Sequence, residues 1–273
     1  MAYSKIIVMN FSFQSIRSGS SGNCLLIKTS QNAVLLDFGL KTKRLSYQIL
    51  DSLKVKVSAA VVSHCHSDHI NTYSYRVLKE RGIPVYCHEK SLRGVLTQID
   101  RPDTEINTFN GSFSIASMNI LPFELPHRPD CSNYGFIFEY KNIRVAIATD
   151  FYSWDDSILH LLADCDFLFL ESNHDSYLLT LNPNPNSCYH LSNHQASNLL
   201  SEMKRKKRAL PKTIMFGHLS QKRNQPHLPE NELKKHFFKH GINIDSSVFV
   251  APSDCPSQEI FILPATAQIA SKY

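Results

Sequence analysis

The sequence predicts a mixed α/β chain folded as a four-layered αββα sandwich, two sheets face to face with helices on their outer sides. Three observations lead there. Strand-like apolar runs bounded by turn residues recur along both halves of the chain, helically spaced segments are interspersed among them, and no linker, low-complexity tract or short-period repeat interrupts the series. With 273 residues, 42% of them hydrophobic, there is ample material for a large core, so residues 1–273 are expected to form one domain.

The first strand-like run is at residues 5–13, too short and too polar on its flanks for a secretory signal. A turn cluster from Ser18 to Asn23 separates it from strands at residues 24–28 and 33–36, an antiparallel meander that ends at Asp37-Phe38-Gly39. Residues 43–53 have helical spacing, residues 57–62 form an apolar strand, and residues 72–81 look helical again. A short buried strand at 84–87 and a helix at 89–98 follow. Residues 106–123 are strand-like, and residues 134–140 and 143–148 read as a hairpin around Lys141 and Asn142. A helix near 155–162, a strand at 167–170, an Asn- and Pro-rich rim loop at 182–187, a helix starting near Ser192 and a strand at 213–217 complete the pattern.

Seven cysteines, an odd number without a repeated Cys-x-x-Cys spacing, indicate reduced thiols and a cytoplasmic protein. No apolar run approaches the length that spans a membrane, so no membrane partner is expected.

The chemistry concentrates in His64-Cys65-His66-Ser67-Asp68-His69. Two histidines two apart at the end of a strand point to the same side and can hold one ion. Asp68 and His69, at the approach to the next helix, offer a carboxylate and an imidazole to a second. A lone His-x-His pair is common in surface and core positions, whereas three His and an Asp within six residues are hard to read as an ordinary polar loop. Cys65 should face away from the ligands and pack.

This run after a buried strand resembles the signature of the metallo-β-lactamase superfamily. The resemblance implies further ligands after later strands, met here by His127, Asp150 and His218. It implies that His64, His66 and His127 hold one divalent ion, that Asp68, His69 and His218 hold another, and that Asp150 bridges them. Zn²⁺ is the first expectation and Mn²⁺ the second. Asp37 would orient ligands from behind, unless it is only a turn-forming Asp before Gly39.

Within the superfamily, Asp150 stands where the best-known zinc β-lactamases carry Cys. The Glu124-Leu125-Pro126-His127 run differs from that of glyoxalase II-like thioesterases, and the interval from Asp150 to His218 is too short for a β-CASP domain. The segments at Ser18, Leu170, His190 and Gly217 resemble the tRNase Z-like branch, closest to its small bacterial exonucleases linked to cell-wall regulatory operons. By that resemblance Glu171 and His190 form a proton-donating pair, while a metal-bridging hydroxide oriented by Asp68 attacks phosphorus. No long tRNA-gripping arm is present, so DNA or RNA is expected as substrate and pre-tRNA is not preferred.

The net charge of +5 is modest, and its densest part is the run from Lys204 to Arg208, followed by Lys212, Lys222 and Arg223. Lys206, Lys207 and Arg223 are candidate phosphate contacts. The plainer reading is a solvated helix end, where cations suit the dipole. His88, His160, His227, His236 and His240 read as surface or packing residues, with His174 and His194 less clear-cut. Two other function classes stay open, a small-molecule metallo-hydrolase acting on an ester, lactone or phosphodiester, and a non-catalytic binding protein.

Overall fold

The computed structural model describes residues 11–102 and 104–264, so the part of the first predicted strand before Phe11 lies outside the described residues. Strands β1 (Ser12–Arg17), β2 (Cys24–Lys28) and β3 (Asn32–Leu36) form the antiparallel meander. Helix α1 (Lys43–Ser52), β4 (Lys56–Val62), α2 (Thr72–Glu80), β5 (Val85–His88), α3 (Leu92–Ile99) and β6 (Asn107–Phe109) follow. From β3 to β6 each strand runs parallel to the last. Parallel neighbours need crossovers, and α1, α2 and α3 supply them.

The second sheet begins with the antiparallel strands β7 (Phe113–Ile115), β8 (Met118–Leu125), β9 (Asn133–Tyr140) and β10 (Ile143–Ala148). It continues in parallel through α4 (Asp156–Leu162), β11 (Phe167–Glu171), α5 (Ser176–Leu181), α6 (Asn193–Arg205), β12 (Thr213–Gly217), α7 (Leu228–Lys239) and β13 (Ser247–Val250). Strand β14 (Ile260–Phe261) returns to cover β1. The two sheets have seven strands each, in the orders β14-β1-β2-β3-β4-β5-β6 and β13-β12-β11-β10-β9-β8-β7.

Period-two alternation builds the four layers. Val34 and Leu36 enter the core between the sheets, while Ala33 and Leu35 pack outward among α1, α2 and α3. In the other sheet Val145 and Ile147 face inward, and Ala146 and Ala148 face the helices, with Leu199 and Phe237 of α6 and α7 in the same outer cluster. Strands buried on both faces read as continuous apolar runs, which is why Phe167 to Leu170 shows no polar alternation.

The strand-like stretch at 106–123 proves to be three strands divided between the sheets, with the crossing after β6. No residue pattern marks that crossing. The predicted helix at 89–98 starts with a 3₁₀ turn, Glu89–Ser91, and the rim loop contains another, Pro185–Tyr189. Helices α5 and α7 and strands β13 and β14 have no counterpart in the sequence reading. The helix expected near Ser192 is α6, capped by Ser192 and Gln195 in reciprocal hydrogen bonds.

Functional loops share one edge. Strands β8, β10, β11 and β12 run in one direction, as do β3 and β4, so the loops after them meet where the sheets' carboxyl ends adjoin.

Phe13 of β1 joins the sheets by packing on Phe167 and Phe169, with ring centroids 4.6 and 5.2 Å away. Phe13→Ala should cost roughly 3–5 kcal/mol of stability, measured as a lowered denaturant midpoint at unchanged slope.

Candidate metal centre

Strand β4 stops at Val62, and residues 64–69 form a tight loop rather than a strand end. Strand parity is therefore not what aligns His64 and His66. The amides of His69 and Ile70 donate to the His66 carbonyl at 2.9 and 3.1 Å and curl the loop so that its imidazoles converge. His64 Nε2 lies 2.9 Å from His66 Nδ1, which lies 3.3 Å from His127 Nε2. These three nitrogens make a trigonal face for one ion.

Beside it, His69 Nε2 stands 3.6 Å from Asp68 Oδ2, and His218 Nε2 stands 3.9 Å from the same oxygen. Asp150 lies between the loci, with Oδ2 3.4 Å from His69 Nε2 and Oδ1 3.6 Å from His218 Nε2. Asp150 Oδ2 and His218 Nε2 are buried without hydrogen-bond partners. Buried polar atoms left unpaired are costly, and cations held between the loci would satisfy both, so the residues fit a metal.

Buried carboxylates aim these imidazoles from behind. Asp37 accepts hydrogen bonds from the Ser63 amide at 2.8 Å and its hydroxyl at 2.9 Å, and it contacts His69 Nδ1 at 2.7 Å. The Ser63 hydroxyl also reaches His64 Nδ1 at 3.0 Å. Glu171 Oε1 contacts both His190 Nδ1 and His218 Nδ1 at 2.8 Å, and its Oε2 accepts from the Phe151 and Leu191 amides. Ser18 accepts the His218 amide, and Asn23 Nδ2 reaches His69 and Asp68. Sequence reasoning missed Ser63 entirely, and it saw Ser18 and Asn23 as turn formers within a family-like segment without giving either a role at the site. The one available signal for Ser63 was its place beside His64.

Burial holds His64, His66 and His127 below the ordinary imidazole range, His127 at about 4, and neighbouring histidines reinforce it. These three are neutral, with lone pairs free for a ligand. His69 and His218 shift the other way. Burial opposes their charge, yet Asp37, Asp150 and Asp68 raise His69 to about 9, and Asp150 with Asp68 and Glu171 raises His218 well above its usual value. Burial would raise Glu171 too, but His190 and His218 hold it below the ordinary carboxylate range.

Asp37, Asp150 and His218 all take left-handed backbone conformations, φ 62°, 61° and 55°, within two residues of their strands' ends. Such turns cost about 1–3 kcal/mol each and cluster at functional sites. Gly39 makes a second demand, since a Cβ there would lie 1.9 Å from the carbonyl of Asp68.

Of the other predicted site residues, His190 stands at the rim, 18% exposed and 3.7 Å from Asp150. Lys206 and Lys207 are not brought to the ligands. They follow the far end of α6, about 20 Å along the helix from His190, and Lys206 pairs with Asp156. Arg223 lies nearer, donating to the Asn182 carbonyl at the rim. Cys65 packs outward, its Sγ 3.1 Å from Cys131. His88 stacks on Tyr134, a packing role as expected.

A family model described as a β-lactamase superfamily domain matches residues 32–213, from β3 to β12. The chain belongs to the metallo-β-lactamase-fold superfamily. It is 25% identical over 265 residues to exodeoxyribonuclease WalJ of Streptococcus pneumoniae, covering 90% of this chain and 96% of that one. Exodeoxyribonuclease YycJ of Bacillus anthracis is 24% identical over 260 residues with the same coverage. Among solved structures, the metallo-β-lactamase-fold protein YhfI of Bacillus subtilis superposes with a TM-score of 0.70 at 18% identity, covering 92% of this chain and all of YhfI.

In this member of the superfamily the metal loop rests on Gly39. Gly39→Ala should push residues 66–70 outward at a cost of roughly 1–3 kcal/mol and lower the bound metal per chain. Thermal denaturation with elemental analysis checks both.

Proposed function

We propose that this protein is a dinuclear metal-dependent phosphodiesterase that acts as an exonuclease on DNA or RNA. The observation that carries the reading is the Glu171–His190 contact of 2.8 Å beside the seven converging ligands. A hydrolase that only needed an activated water would not require an imidazolium at that rim. The names of the two relatives, both exodeoxyribonucleases, support DNA ahead of RNA.

In this reading His64, His66 and His127 hold one ion, Asp68, His69 and His218 the other, and Asp150 both. Bound there, two divalent ions, Zn²⁺ ahead of Mn²⁺, would supply an activated water and neutralise charge on the phosphate. Asp68, partly exposed, accepts a hydrogen bond from the attacking hydroxide, the activated water with its proton already lost. As the new P–O bond forms and the ester P–O bond breaks, the leaving sugar oxygen takes a proton from His190. Glu171 occupies His190 Nδ1, so Nε2 is the nitrogen that gives it. Burial works against the imidazolium, but the Glu171 charge and hydrogen bond raise the His190 pKa, so the acid form persists to higher pH than in a free histidine.

Phosphate-rich polymer would approach along a cleft that reaches Asp68 and is lined by Lys41, Tyr73 and Arg76. Tyr73 is 54% exposed, a surface on which a base can stack. Lys206, Lys207 and Arg223 would extend the track. All seven cysteines are free thiols, which supports a cytoplasmic setting, and no helix among the described residues is long and apolar enough to cross a membrane.

His190→Ala should retain both ions and lose roughly 10²–10⁴-fold in turnover on DNA, while bis-nitrophenyl phosphate, whose leaving group needs no proton, is cleaved nearly normally. Equal losses on both substrates would remove His190 from proton transfer. Glu171→Ala is a poorer test, because the same carboxylate oxygen supports His218. His64→Ala and Asp150→Ala should abolish activity, with elemental analysis giving at least two ions per wild-type chain. One ion, or an active Asp150 variant, would overturn the dinuclear reading.

Charge reversal separates a polymer substrate from a small one. Lys41→Glu, or the pair Lys206→Glu and Lys207→Glu, should lower the slope of log affinity against log salt by about one per lost phosphate contact. A salt-independent affinity in the wild type would favour a small-molecule hydrolase.

A further inference from the structure

Outside the converging ligands, α6 and α7 assemble another group of metal-binding side chains. His194, on the first turn of α6, places Nδ1 3.0 Å from Glu232 Oε1 on α7. Glu232 and His236 stand four residues apart on α7, so one helix face carries both. The rings of His194 and His236 are 5.1 Å apart and steeply inclined at 73°. One donor atom from each of the three residues lies within 4.8 Å of the others. Donors around a tetrahedral ion with bonds of about 2.0–2.1 Å stand roughly 3.3 Å apart, a spacing that small side-chain rotations reach.

His236 supplies an independent sign of a missing partner. It is 6% exposed, and its Nε2 is buried with no hydrogen-bond partner. Burial, helped by His194 and His240, keeps its pKa below the ordinary value, so the ring is neutral and has a lone pair to offer. The His194 side chain is 61% exposed, which gives an ion a route from solvent. His240, one turn further, has its ring 4.6 Å from that of His236.

We propose that His194, Glu232 and His236 form a separate site for one borderline divalent ion, Zn²⁺ by its two imidazoles and one carboxylate. The ion clamps α7 to the start of α6. His194 lies two residues after the helix-capping Ser192 and four after His190, so the clamp steadies the helix start beside His190 without touching substrate.

The test is equilibrium dialysis of the full-length protein against buffered free Zn²⁺, with metal per chain measured by elemental analysis. It compares wild type with the double variant His194→Ala/Glu232→Gln, each also in a His64→Ala background that cripples the main centre. In both backgrounds the double variant should bind one equivalent fewer, and its zinc-induced rise in thermal midpoint should be smaller. His194→Ala alone should weaken that equivalent by at least the roughly 10–100-fold that loss of an outer partner causes. If the double variant does not fold, the Co²⁺ absorption of wild type minus that of His194→Gln should still contain a distinct band set. Equal metal content with and without His194 and Glu232, or no cobalt difference, overturns the clamp and leaves the proposed function standing. Failure of His64→Ala to lose metal while the clamp's equivalent persists would count against the proposed function instead.

Discussion

Two carboxylates buried at strand ends hold the site together. Asp37 closes β3 in the first sheet, and Glu171 closes β11 in the second, 2% and 0% exposed. A buried charge is tolerated only when its oxygens are hydrogen-bonded, and each of these meets that demand by taking backbone amides or a hydroxyl on one side and imidazoles on the other. Orientation of His69, His190 and His218 follows from that constraint. The histidines are fixed because the carboxylates have nowhere else to go.

The same arrangement divides the imidazoles into two electrical classes. Burial keeps His64, His66 and His127 below the ordinary imidazole range, while Asp37, Asp68, Asp150 and Glu171 raise His69 and His218 above it against their burial. Glu171 contacts both His218 and His190, so one buried carboxylate orients two imidazoles at once.

Folding supports this chemistry through strain and close approach. Three loops leave their strands through left-handed residues, and the chain accepts that cost because hydrogen bonds hold each turn, from backbone at Asp37 and from the side chains of Asn133, Glu171, Ser18 and Asn173 at Asp150 and His218. Phe38 donates to the His69 carbonyl and Asn23 to the Asp68 carbonyl, each at 2.8 Å, so the meander of the first sheet is the bed on which the metal loop lies. Gly39 is required there because no side chain fits between them.

The residue order alone made the layered fold, most elements up to β12 and the candidates His64, His66, Asp68 and His69 legible, because apolar periodicity and the His-x-His-x-Asp-His spacing are local properties of the chain, while His127, Asp150 and His218 followed from the resemblance to the superfamily. Residues 106–123 show the limit, since three short strands look alike whether they share a sheet or divide between two. Ser63, the double duty of Glu171 and the pairing of Lys206 with Asp156 were invisible for the same reason. Each depends on groups distant in sequence that only the packed sheets bring together. His236 is the plainest case. On its helix it reads as a packing residue, and it becomes a ligand candidate only when α6 lays His194 against α7 and leaves a buried imidazole nitrogen without a partner.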